Sequence, residues 1–113
     1  MAEKDSIVYL YGFSTMFESK LINLIKIIEH QLKQNLQISI VFIQDGVIGT
    51  SMKNKITTLM KKLLDLPITP YSLLPDLRAR GIDATNLQSK VKGIEYEELV
   101  DKLVKIPKIV SWM

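Results

Sequence analysis

Cysteine is absent from all 113 residues. That absence excludes disulfides, thiolate metal centres and any reaction carried by a thiol of this chain, so stability must come from packing and backbone hydrogen bonds. Histidine occurs once, as His30, and only two of the 15 basic residues are arginine, Arg78 and Arg80. No apolar run approaches the roughly 20 residues needed to cross a bilayer. The N-terminus, Met1-Ala2-Glu3-Lys4-Asp5, carries charges of both signs rather than a basic stretch before an apolar one. A cytoplasmic protein without membrane contact is expected.

What remains is an ordinary globular composition, 47% hydrophobic and 24% charged with 7% aromatic residues, at a length that suits one domain, residues 1–113. The net charge of +3 rests on dispersed lysines, a balance that favours solubility over nucleic-acid grip. Lysine and isoleucine in quantity, without cysteine, also suit a thermophile.

The run Ser6-Ile7-Val8-Tyr9-Leu10-Tyr11, stopped by Gly12, reads as a strand buried on both faces. Phe17, Leu21, Leu24, Ile25, Ile28 and Leu32 then recur at helical spacing, leaving Lys20, Asn23, Lys26 and Gln34 for water. A second buried strand, Ile38 to Ile43, ends at the turn signal Gln44-Asp45-Gly46. A second helical stripe, Ile56 to Leu64, is entered through the capping residues Thr50-Ser51 and closed before Pro67. In the strand Ile68 to Leu73, Pro70 cannot donate to a ladder, which predicts an edge position or an interrupted pairing with a short or missing neighbour.

Pro75 to Gly81 reads as one short helix with proline in its first turn and glycine as its stop. Residues 82–93 read as a loop with at most one brief strand. Tyr96, Leu99, Val100, Leu103 and Val104 form a last helical face behind the acidic Glu95, Glu97 and Glu98, which suit the positive end of the helix dipole. Pro107 ends it, and Ile109 to Trp112 is a terminal strand. The alternation predicts an α/β three-layer sandwich, a largely parallel sheet of four or five strands flanked by helices, with sites past the strand carboxyl ends.

Those ends, Gly12 to Thr15, Gln44 to Gly49 and Ser72 to Leu74, encode little chemistry. There is no glycine-rich phosphate cradle and no Walker lysine. No metal or other cofactor is expected, because His30 lies at the far end of its helix and no carboxylates cluster. Asp45 is the best-placed carboxylate, but alone it cannot perform acid–base catalysis, and its plainer role is to fix the turn and cap the next segment. Ser14, Thr15 and Ser72 have no activating neighbour in the sequence. Tyr11, Phe13, Met16 and Phe17 are either a recognition patch or the packing of a helix start on the sheet. Trp112 must be covered by this chain's own helix or by another subunit.

Three stretches together resemble the DsrH/TusB family, third of the DsrE/DsrF/DsrH (TusD/TusC/TusB) sulfur-relay set: Gln44-Asp45-Gly46-Val47, the segment from Tyr71 through Asp76, Arg78, Ala79, Arg80 and Gly81 to Ile82, and the tail from Tyr96 through Pro107 to Trp112. In the middle stretch Tyr71, Asp76, Arg80 and Gly81 are taken as structural positions of the motif. The resemblance implies a DsrE/F/H-like fold and mixed hexamers with DsrE/TusD-like and DsrF/TusC-like subunits. The relay it implies is persulfide transfer, serving transfer-RNA wobble-uridine 2-thiolation or sulfur oxidation. Some DsrH-like proteins carry a cysteine in the first helix; the approximate position here is Asn23, whose amide cannot form a persulfide.

The chain is therefore expected to be a non-catalytic relay subunit. Its candidate contacts are Trp112, Phe13 and the loop Gln44, Asp45 and Gly46. The alternative is a stand-alone homo-oligomer binding a small ligand or anion at the strand ends, with charge from Lys53 and Lys55. Direct RNA binding is disfavoured because no aromatic ladder interleaves with a basic stripe.

Overall fold

The computed structural model describes residues 6–16, 18–52, 56–106 and 108–112. Phe17, Lys53, Lys55 and Pro107, singled out from the sequence, lie outside them. Five parallel strands form one sheet in the order β4-β3-β2-β1-β5: β1 Ser6–Tyr11, β2 Gln37–Phe42, β3 Thr69–Leu73, β4 Lys92–Ile94 and β5 Lys108–Trp112. The α/β sandwich expected from the alternation is the fold observed.

Four helices connect them: α1 Glu18–Lys33, α2 Thr58–Asp65, α3 Leu74–Ala79 and α4 Tyr96–Lys105. The order explains their sides. From β1 to β4 the chain steps one way across the sheet, so right-handed crossovers keep α1, α2 and α3 on one face. The return from β4 to β5 reverses direction and places α4 on the other. Alternation along the strands serves both layers. Ile7, Tyr9, Tyr11, Ile38, Ile40 and Phe42 pack under Leu21, Leu24, Ile25 and Ile28 of α1, Met60, Leu63 and Leu64 of α2, and Leu77 of α3. Val8, Val41, Ile43, Leu73 and Ile94 pack under Leu99 of α4.

The two layers are unequal. Among the described residues, eighteen buried apolar side chains form the first and six the second. At about 1.5–3 kcal/mol for each buried aliphatic side chain, the first face anchors the fold and the second is thinly covered.

Local chemistry sets the boundaries. Asn35, at φ 66°, closes α1. The cap of α2 is Thr57, whose side chain accepts from the Met60 N–H at 3.1 Å. It is not Thr50-Ser51 as the spacing suggested, because a 3-10 segment, Gln44–Thr50, intervenes and Thr50 is its last residue. At the other end of α2 the Lys90 ammonium donates to the carbonyls of Leu64 and Leu66, satisfying groups the helix leaves open.

Pro70 lies in an interior strand, and its missing N–H is accommodated by a short neighbour: β4 has three residues and pairs only with Tyr71, Ser72 and Leu73. Residues 82–93 contain a brief 3-10 turn, Ala84–Asn86, before β4. Glu95 and Glu98 form a reciprocal capping box on α4. Among the described residues no helix is long and apolar enough to cross a membrane.

Candidate functional site

The carboxyl ends of β1, β2 and β3 meet where the sequence pointed, and they are fastened together. After Tyr11 the chain turns at Gly12, whose N–H donates to the Trp112 carbonyl at 2.8 Å. The Tyr11 carbonyl accepts from the Ile43 N–H at 3.0 Å. Gly46 packs against that same carbonyl so closely that a Cβ would stand 2.4 Å from its oxygen. Only glycine fits there.

Gln44 is held at φ 49°, and its N–H donates to Asp76 Oδ2 at 2.6 Å. Arg80 completes the fastening: Nε and Nη2 donate to Asp45 Oδ1 at 3.2 and 3.0 Å, and Nη1 donates to the Asp76 carbonyl at 3.1 Å. Gly81 follows at φ 68°, a left-handed conformation that lets the chain leave α3. The motif residues Gln44, Asp45, Gly46, Asp76, Arg80 and Gly81 are thus one clamp joining the β2 exit to α3. Asp45 does not cap the segment after it; Asp76, from α3, supplies the acceptor.

A second clasp runs from α3 to α4. Arg78 donates from both Nη atoms to Glu95, at 3.1 and 2.8 Å. The pairing holds the Glu95 carboxyl below the usual carboxylate range and raises the Arg78 guanidinium. Inside the clamp, Thr50 Oγ1 donates to the Val47 carbonyl at 2.6 Å and shares a 3.0 Å hydrogen bond with Ser72 Oγ. Ser72 is fully buried in that pair, so it is no exposed nucleophile. Ser14 Oγ accepts from the Met16 N–H at 3.2 Å.

Beside the clamp, a cavity of about 300 Å³ opens between the first loop and the start of α2. Among the described residues its lining is Ser14, Thr15, Met16, Ile48, Gly49, Ile56, Thr57 and Met60, none of them titratable. A larger cleft of about 550 Å³ lies at the opposite end of the sheet, where Lys102 and Lys105 meet Ser6, Ser39 and Thr69. There the Lys102 ammonium sits 4.3 Å above the ring of the motif residue Tyr71. No cluster of metal-ligating side chains exists among the described residues.

The aromatic residues divide. Tyr11 is buried, its ring between Phe13 and Phe42 at 6.0 Å each and Trp112 at 6.4 Å, so it belongs to the core and not to a recognition patch. Phe13 is half-buried with the Lys20 ammonium 4.3 Å from its ring, whereas Met16 is 74% exposed. Trp112 is half-buried by this chain's own core. Asn23 and His30 lie exposed on α1. The reach of Arg80 to Asp45 across 35 positions was invisible to local pattern reading; two arginines in a lysine-rich chain, both at α3, were the available signal.

Comparison with known proteins decides the family. The sequence profile described as "DsrH like protein" matches residues 15–109. The chain belongs to the DsrH family. Within the curated proteins it is 34% identical over 74 residues to Protein TusB of Pectobacterium atrosepticum, covering 66% of this chain and 74% of that one. In fold it is similar to the ychN protein of E. coli, with a TM-score of 0.78 at 16% identity over 96% of this chain and 99% of that one. It is also similar to a protein of unknown function from Methanobacterium thermoautotrophicum, with a TM-score of 0.70 at 17% identity over 94% and 96%. The DsrH resemblance drawn from the three sequence stretches is met.

Proposed function

We propose that this DsrH-family chain is a thiol-free subunit of a sulfur-relay complex, organising cysteine-bearing DsrE/TusD-like and DsrF/TusC-like partners. The observation that carries the reading is membership of the family over residues 15–109 in a chain without cysteine. Persulfide transfer requires a thiolate to attack the outer sulfur of a donor persulfide, with the donor thiol leaving. No side chain here can be either party. The strand ends support an organising role: the clamp fastens the loops, and the described lining residues of the adjoining cavity include no acid, base or cation.

The relay served is transfer-RNA wobble-uridine 2-thiolation or intracellular sulfur oxidation, according to the partners. Native mass spectrometry of the tagged protein recovered from its own cells, with and without reductant, tests the reading. Cysteine-bearing DsrE- or DsrF-like chains at fixed stoichiometry are expected. A lone homo-oligomer that binds sulfite or thiosulfate saturably would replace the reading with that of a ligand-binding domain.

A further inference from the structure

A parallel sheet ordinarily has helices on both faces, yet α4 is the one described helix on the second face of this one. Its position is fixed by its neighbours. Leu99 and Leu103 point to the sheet, and Lys102 lies over Tyr71 of β3. Successive helix positions advance by 100°, so Tyr96, Val100 and Val104 lie on the opposite flank of α4, the side of β1 and β5. They are 60%, 42% and 80% exposed. The sheet beside them is also open: Ile109 of β5, laterally paired with Val8, is 45% exposed, and Leu10 of β1 is only half-buried. Val8 beside them is fully buried, so the uncovered strip is the edge strand β5 and its border with β1 at Leu10.

Charge identifies the occupant. Glu97 and Asp101, one turn apart, border the stripe on its solvent side, and neither is in an ion pair among the described residues. A second copy of α4 laid alongside would face these carboxylates with its own, and an anionic lipid surface would be repelled. We infer that the shelf formed by Leu10, Ile109, Tyr96, Val100 and Val104, rimmed by Glu97 and Asp101, docks an amphipathic helix with a basic flank from a different polypeptide. This deepens the relay reading and rests on it in one respect only, that the polypeptide is a fellow subunit.

The test uses a helical Leu/Lys peptide of about five turns, its Leu/Glu counterpart, and phosphatidylglycerol vesicles, each titrated into isotopically labelled protein. The Leu/Lys peptide is expected to shift the resonances of Leu10, Val100, Val104 and Ile109. Its affinity should fall about tenfold or more in Val100→Ser/Val104→Ser. Glu97→Lys/Asp101→Lys should reverse the preference toward the Leu/Glu peptide. Shifts centred elsewhere, equal binding of both peptides, vesicle binding through the shelf, or self-association abolished by Val104→Ser would each overturn the proposal.

Co-expression with DsrE- and DsrF-like subunits separates the two readings. Undiminished assembly of Val100→Ser/Val104→Ser removes the shelf as the docking face and leaves the relay reading intact. Failure of wild-type chain to recruit those subunits, with the Leu/Lys peptide still mapping to the shelf, removes the relay reading and leaves the shelf.

Discussion

At the scale of single residues, Tyr9 and Tyr11 make a controlled comparison. Both are buried on the same face of β1. The Tyr9 hydroxyl donates to Gln31 Oε1 at 2.6 Å, whereas the Tyr11 hydroxyl has no hydrogen-bond partner among the described residues. Replacing Tyr9 with phenylalanine removes a satisfied bond and strands the Gln31 carbonyl, at a cost of about 1 kcal/mol. Tyr11→Phe removes a buried hydroxyl that returns nothing and is expected to be neutral or slightly stabilising. Urea unfolding of both variants checks this; an equal loss in Tyr11→Phe would show that its hydroxyl is satisfied. Burial pushes both phenols above their ordinary value of 10.0. A raised folded-state value means stability fully present below about pH 10 and lost as pH rises through the folded values. Alkaline unfolding should therefore be steeper in the wild type than in the double phenylalanine variant. None of this was legible in the run Ser6 to Tyr11, where both tyrosines read simply as apolar strand residues, because a hydroxyl's partner depends on how α1 crosses the sheet.

At the scale of elements, the clamp between the β2 exit and α3 sets the expectations. Asp76→Ala leaves the Gln44 N–H without its acceptor and should speed amide hydrogen exchange at Gln44, with a stability loss of about 1 kcal/mol. Arg80→Lys should recover little of what Arg80→Ala loses, since one ammonium cannot reproduce donors to both Asp45 and the Asp76 carbonyl. Gly46→Ala should cost more than either, about 2–4 kcal/mol by chemical denaturation, because the new Cβ meets a backbone oxygen that cannot rotate away. The strands and long helices were legible because short continuous apolar runs ended by turn residues and apolar recurrence every three to four residues distinguish them. The 3-10 segment Gln44–Thr50 was not. Asp45-Gly46 reads locally as a tight turn, while its actual path is fixed by Asp76, Arg80 and the Tyr11 carbonyl, all remote in sequence. The start of α2 was misplaced for the same reason.

At the scale of the molecule, the sequence implied a sandwich with sites at the strand ends; the inequality of its two faces emerged only with the strand order, which puts three helices on one side and α4 on the other. Trp112 shows the limit of reading a terminal residue by itself. Its ring lies against Tyr11 and its carbonyl accepts from Gly12, so part of its cover is the chain's own. Trp112→Ala should cost about 2 kcal/mol or more in urea, as a half-buried member of the aromatic truncations. If the relay assembly forms unaltered once that loss is allowed for, Trp112 is a core residue only.

The strand order also bears on how the chain matures. Strands β1 to β4 can join one after another as they are synthesised, but β1 gains its second neighbour only from β5, nearly the whole chain later. Until then a central strand presents a bare hydrogen-bonding edge, the kind of template that recruits other chains. Pairing so distant in sequence is slow to form. The vulnerable period of this protein is therefore its own synthesis, and a ribosome stalled before Lys108 would hold an aggregation-prone intermediate.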